Sequence, residues 1–168
     1  GDWRLPGFDD SSWASGENPF GFGYPNQPIN LPGDLSATMH NADEGIFHGG
    51  VYLRFPFQID DPALVAGMIL RMKYDDGFVA YLNGERLAAA NAPSPAVFNS
   101  TATVSAQVGD DDPFESFVLD FAGHLVAGAN VLAIHGLNEA HEDPDFLILP
   151  ELELRVREPL QGPQPWGP

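Results

Sequence analysis

Apolar and polar residues alternate along this chain in short runs bounded by turn residues. In 51–59, Val51, Leu53, Phe55, Phe57 and Ile59 share one face. Pro56 interrupts the other face and, lacking an N–H, should sit at a sheet edge or a bulge. In 67–91, Met68, Leu70 and Met72 alternate with Ile69, Arg71 and Lys73, and Phe78, Ala80 and Leu82 alternate with Val79 and Tyr81. Tyr81 should therefore face away from Phe78, Ala80 and Leu82. Asp76-Gly77 and Asn83-Gly84 fall between these runs, and Asp-Gly and Asn-Gly are strong hairpin signals. The spacing predicts an antiparallel meander over 68–74, 78–82 and 85–90. Further strands are predicted over 115–121, 130–136 and 146–156, with a short one over 101–107. Asp61-Pro62-Ala63-Leu64 suits a single helical turn, with aspartate at the N-cap and proline at the first helical position.

The rest of the pattern is loop. Residues 1–25 carry Trp3, Phe8, Trp13, Phe20, Phe22 and Tyr24 without helical periodicity, and 25–50 read as a long surface excursion of functional character. No repeat, coiled coil or long helix emerges. Many short strands between turns predict an all-β fold, an antiparallel β-sandwich or a barrel. One domain is expected over 1–157, followed by a proline-rich, semi-rigid linker over 158–168.

Composition narrows the partners. The 168 residues hold 7 Lys+Arg against 24 Asp+Glu, a formal charge of -17. That surface repels phosphate backbones and anionic lipid, which argues against nucleic-acid and membrane-surface roles. It favours cations and neutral or cationic partners. There is no cysteine, so disulfides contribute nothing. No apolar run reaches the ~18 residues of a membrane helix. No signal peptide is visible, but Gly1 opens the chain abruptly, so the missing signal says little about secretion.

The candidate chemistry is that of binding. Gly-x-Ser-x-Gly, His-Glu-x-x-His and a glycine-rich phosphate loop are all missing, and the five histidines have no paired metal spacing. No catalytic activity is expected. Hard cations take carboxylate and carbonyl oxygens; the candidate ligands are Asp9, Asp10, Asp75, Asp76, Asp110 to Asp112, Glu151 and Glu153. The same acids equally suit surface hydration and turn capping. Trp13, Tyr24, Tyr74 and Tyr81 are candidate stacking platforms for sugar rings, against the alternative that they pack in the interior. Asn99-Ser100-Thr101 is a formal glycosylation sequon.

The predicted meander locates a ligand rim. Its first turn, Asp75-Asp76-Gly77, and the exit of its third strand at Asn91 lie at one end, and Asn83 and Gly84 at the other. Asp75, Asp76 and Asn91, beside Tyr74, are the expected ligand-contacting residues. Asn138 and His141, in the polar loop 137–145 with Asp145, join them if that loop reaches the same rim. A plain solvated hairpin explains Asp75-Asp76-Gly77 more cheaply.

Three segments carry a resemblance: Tyr52-Leu53-Arg54-Phe55-Pro56-Phe57, Phe78-Val79-Ala80-Tyr81-Leu82-Asn83-Gly84 and Gly128-Ala129-Asn130-Val131-Leu132-Ala133-Ile134. Their order resembles the galactose-binding-like jelly rolls, including the sugar-binding domain of family 2 glycoside hydrolases. Phe8-Asp9-Asp10-Ser11-Ser12-Trp13 and Gly21-Phe22-Gly23-Tyr24 are similar to accessory modules of large bacterial extracellular proteins. The resemblance covers about 3–155 and implies a jelly roll. It also implies a structural calcium between an early loop and the last strand, here Asp9 and Asp10 with Glu151 or Glu153. Asp75-Asp76-Gly77 resembles the paired aspartates by which some protective-antigen-type lectins hold a calcium that touches sugar hydroxyls. The function expected is a non-catalytic carbohydrate-binding module of an extracellular or cell-surface protein, with a glycan or polysaccharide and the neighbouring domains as partners. Two alternatives stay open: a spacer or adhesion domain without a small ligand, and the non-catalytic part of a hydrolase.

Overall fold

The computed structural model describes residues 1–24, 31–109 and 111–157. The proposed linker over 158–168, the candidate ligand Asp110 and part of the 25–50 excursion lie outside the described residues. The long strands are β5 (Gly50–Ile59), β6 (Val65–Asp75), β10 (Gly128–Leu137) and β11 (Phe146–Val156). Shorter ones are β7 (Gly77–Leu82), β8 (Glu85–Ala90) and β9 (Glu115–Val118). Small elements precede them: β1 (Phe20–Phe22), β2 (Gly33–Asp34), the one-turn helix α1 (Ser36–Met39), β3 (His40–Asn41) and β4 (Ile46–Phe47).

Two sheets face each other across one core. The five-stranded sheet runs β2-β1-β11-β6-β9 and the four-stranded sheet β5-β10-β7-β8; β3 and β4 pair separately. The pairings are antiparallel except for the short β1–β2 contact. Met68, Leu70, Met72, Phe146 and Ile148 from one sheet meet Leu53, Ile59, Phe78, Leu82, Leu132 and Ile134 from the other. This is the predicted all-β sandwich. The expected face of 51–59 packs against this core, and Pro56 lies on β5, an edge strand whose free side needs no proline N–H. Asp61 caps a 3₁₀ turn over Pro62–Leu64 by accepting from Ala63 N at 2.9 Å.

The four-stranded sheet is covered on its outer face as well. Val79, Tyr81, Ala133 and Leu137 form a second apolar cluster with Ala102, and Trp3, Ala89, Ala92 and Ala96 pack on it. Tyr81 thus points away from Phe78, Ala80 and Leu82, as its parity requires, but into this second cluster and not into water. Burial on both faces makes β7 the best-protected strand.

The predicted meander is corrected in one respect. β7 and β8 pair across a tight turn at Asn83 (φ 51°) and Gly84 (φ 98°), as Asn-Gly predicts. β6 and β7 do not pair: β6 lies between β11 and β9, and β7 between β10 and β8. Asp75-Asp76-Gly77 is therefore an arch from one sheet to the other and not a hairpin. The predicted strand over 101–107 is also absent. Its N–H groups are used elsewhere: Ala102 N donates to Asn138 O (2.7 Å), Thr103 N to Asn91 O (2.8 Å) and Ala106 N to the Asp76 carboxylate.

Candidate functional site

The arch fixes one end of the sandwich. Gly77 is opposite Leu137 on β10, and Leu137 is opposite Gly50 on β5, so three strands end together here. Asp76 fastens the segments that leave them. Its N–H donates to Leu137 O at 3.2 Å. Its carboxylate accepts from Ala106 N (2.7 Å) and Glu139 N (2.6 Å). Its carbonyl accepts from Asn91 Nδ2 at 2.9 Å. One buried side chain thus holds the loop after β8 and the loop after β10. The 137–145 loop joins this rim, a relation the sequence left open. Asn83 lies at the far end of β7, so the two turns are on opposite ends, as expected.

The rim gathers carboxyl groups out of water. Asp75 and Asp76 are each 1% exposed. Asp75 accepts a hydrogen bond from the Tyr24 hydroxyl. Burial pushes the Asp75 carboxyl up to about 8; the Tyr24 hydrogen bond opposes this, and the nearby charges of Asp76 and Asp145 add to it. Asp143 is raised to about 7, by burial first and then by its hydrogen bond with Asp145 and the charge of Asp76. The Tyr24 hydroxyl is raised far above its ordinary value by burial and by Asp75. Four aspartates from two segments therefore share one electrostatic neighbourhood, in which ionising all of them is costly.

Asn138 stands beside them. It is 0% exposed, and neither its Nδ2 nor its Oδ1 has a hydrogen-bond partner. Its backbone is fully used: N donates to Gly49 O (2.9 Å), and O accepts from Ala102 N. The peptide groups on both sides of it bond Asp76, through Leu137 O and Glu139 N. Along β10, Leu132 and Ile134 face the core, and a side chain at Gly136 would meet Phe146 and Ile148. One step further, this alternation directs Asn138 between the sheets, where β6 ends at Asp75 and β11 begins at Phe146. A buried amide with no partner costs about 1–3 kcal/mol and calls for an explanation.

The remaining expected site residues are distributed as follows. The Tyr74 hydroxyl donates to Glu115 at 2.5 Å and its ring packs on Phe78. Tyr24 is committed to Asp75, and Trp13 packs on Phe8 at 5.5 Å between ring centres. His141 is exposed at the mouth of the loop. Asp9 caps a turn by accepting from Ser11 N, and Asp10 pairs with Arg54 of β5 at 2.7 Å. Glu151 pairs with Arg71 (2.7 Å) and Glu153 with Arg155 (3.3 Å) on the other sheet. Among the described residues no three His, Asp or Glu side chains gather at ligand spacing. Asp10, Glu151 and Glu153 thus each have an arginine for a partner.

Sequence reasoning passed over Asp143 and a recess of about 350 Å³ beside the rim. Phe47, His48, Tyr52, Phe98, Asn99 and His141 line it together with Gly49 and Gly50. Its residues come from three separate segments, and no local motif links them. The one signal was His48-Gly49-Gly50, since paired glycines mark a close approach of backbone to a neighbour.

No protein-family model matches this chain, and no characterised protein matches it in sequence. Among solved structures, a β-D-mannosidase from Dictyoglomus thermophilum aligns at 15% identity with a TM-score of 0.36. The alignment covers 66% of this chain and 12% of that enzyme's. At that score the likeness carries no argument about this chain's function.

Proposed function

We propose that this chain is a non-catalytic carbohydrate-binding module of jelly-roll type, belonging to a larger extracellular protein, with a ligand rim organised by calcium. The observation that supports this reading is Asn138, buried without a partner beside Asp75 and Asp76. Calcium accepts a mixed set of carboxylate and amide oxygens in irregular geometry. Asp75, Asp76 and the Asn138 carbonyl oxygen would supply such a set, with Asp143 and Asp145 adding charge around it. In this reading the ion lies at the arch and not between Asp9 or Asp10 and Glu151 or Glu153, because Asp10, Glu151 and Glu153 are paired with arginines, while Asp75 and Asp76 accept from the Tyr24 hydroxyl and from backbone N–H groups. Because Asp75 and Asp76 are buried, the ion would order the loops that carry the ligand contacts without itself needing to touch the ligand.

A glycan array probed in calcium and again in chelator tests the reading. The expected result is binding to at least one glycan that weakens when calcium is removed. No binding in either condition would leave a spacer domain; equal binding in both would remove calcium from the account.

A further inference from the structure

We propose that the recess between His141 and Phe98 seats a single neutral pyranose ring, an inference that rests on the carbohydrate reading above and gives it a place and a specificity. Three features carry it. The first is Phe98, which is 84% exposed on the loop after β8. A phenyl ring held at the surface contributes nothing to the core, and there it presents an apolar face on which sugar C–H groups stack. Phe47 and Tyr52 add aromatic surface deeper in the recess. The volume of about 350 Å³ lies at the small end of the ~300–1,000 Å³ spanned by ligand clefts.

The second feature is the polar set. His48, Asn99 and His141 supply both donors and acceptors at the rim of an otherwise apolar hollow, the composition by which small polar ligands are oriented. His141 is held over the floor by the lack of a side chain at residue 49. A Cβ on Gly49 would lie 2.7 Å from His141 Cδ2 and 2.9 Å from the Thr101 methyl. Gly49 O also accepts from Asn138 N, which couples this floor to the acidic rim.

The third feature is charge. None of the described residues lining the recess is Lys or Arg, the aspartates of the rim lie on the next strand ends, and the whole chain carries -17. A uronate or sulfated sugar would meet this field without a cationic partner, so a neutral ring is selected by exclusion of anions.

Affinity electrophoresis tests the proposal with a soluble glucan, mannan, xylan and galactan and, as the anionic member, polygalacturonate, all in calcium. The wild-type chain is expected to be retarded by at least one neutral polysaccharide and not by polygalacturonate. Phe98→Ala is expected to weaken that binding at least tenfold with an unchanged melting temperature, because the ring is exposed. Gly49→Ala should weaken it too, by displacing His141. If both variants bind as the wild type does, the recess is refuted while the carbohydrate reading stands. If polygalacturonate binds more tightly than every neutral chain, the charge argument is overturned. If the wild type binds nothing here and nothing on the glycan array, both the recess and the carbohydrate reading fail.

Discussion

The two turns that flank β7 look alike in sequence and do opposite things. Asn83-Gly84 closes a hairpin inside one sheet, and its side chain is completely bonded. Asn83 Nδ2 donates to His124 O and to Asn130 Oδ1, both at 2.7 Å, and its Oδ1 accepts from Val131 N at 2.9 Å. Asn130, 1% exposed, bonds Val126 N, Val126 O and Gly128 O in turn. Asp75-Asp76-Gly77 instead crosses between sheets, buries two carboxylates and lies beside an amide with nothing to bond. One end is a finished structural knot. The other keeps polar capacity in reserve, which folding alone does not require. Sites that conflict with local stability are where function is expected.

The same substitution at the two ends should break or confirm this contrast with the largest effect. Asn130→Leu removes four hydrogen bonds, to the Val126 N–H, two carbonyls and one Asn83 N–H, and is expected to cost about 4 kcal/mol at ~1 per bond. Asn138→Leu, measured in chelator, removes two unpaired atoms from a dry site and is expected to be neutral or to stabilise by about 1 kcal/mol. Urea denaturation of both variants measures the difference. Similar losses at both positions would mean that Asn138 is as well bonded as Asn130 and that the rim holds no reserve.

His135, on β10 between the two ends, provides the next largest effect. It is 3% exposed against Tyr52, and burial lowers its pKa to about 4. Its neutral form is the folded one. The stability it contributes is complete above its unfolded value of about 6.5 and is lost as pH falls toward 4, up to about 3 kcal/mol at ~1.36 per unit. Asp75 acts in the opposite sense: its raised pKa gives stability that is full below the ordinary carboxylate range and is lost as pH rises through about 8. The difference between wild type and His135→Gln isolates the histidine. That difference should shrink between pH 6.5 and 4; a difference independent of pH would show that His135 titrates normally.

Calcium should then act on one end only. At a hundredfold excess over Kd, an ion that binds only the folded state stabilises by ~2.7 kcal/mol. We expect calcium to raise the melting temperature of the wild type and of Asn83→Ala. We expect no rise in Asp76→Asn or Asn138→Leu. A rise retained in both of these, and lost in Asp10→Asn with Glu151→Gln, would return the ion to the first loop and the last strand.

How legible this was depended on whether a signal is local. The faces of 51–59 and the cap at Asp61 follow from residues next to one another in the chain, and so does the Asn-Gly turn, whose positive φ belongs to its own two residues. The arch could not be told from a hairpin, because Asp-Gly between two alternating runs looks the same whichever sheet the second run enters. What distinguishes it is that Asp76 bonds Ala106 and Glu139, 30 and 63 residues away. The false strand over 101–107 had the right alternation and failed because Asn138, Asn91 and Asp76 supply its hydrogen bonds. The rim's composition was readable as Asp75, Asp76, Asn91, Asn138 and His141. Its second pair of acids and the aromatic recess were not, since they depend on loops meeting in space.

The smallest expected effect separates the two glycines. Gly84 is glycine for its backbone: φ is 98°, and a Cβ there would touch only the flexible end of Leu5, at 2.8 Å from Cδ2. Gly77 has no positive φ among its constraints; a Cβ there would lie 2.8 Å from Asn91 O and 2.9 Å from Ala90 O, both backbone atoms. Asparagine tolerates left-handed backbone better than other residues with a side chain. Gly84→Asn should therefore cost only about 1 kcal/mol, near the low end of the ~1–3 for a residue held in a sparsely populated region. Gly77→Asn should cost about 2 kcal/mol or more, because overpacking against backbone cannot be relieved by a rotamer change. It should also weaken glycan binding, by pushing Asn91 away from the Asp76 carbonyl. Equal losses of stability with unaltered binding in both variants would show that the arch is an ordinary turn after all, and that its likeness to Asn83-Gly84 extends beyond the sequence.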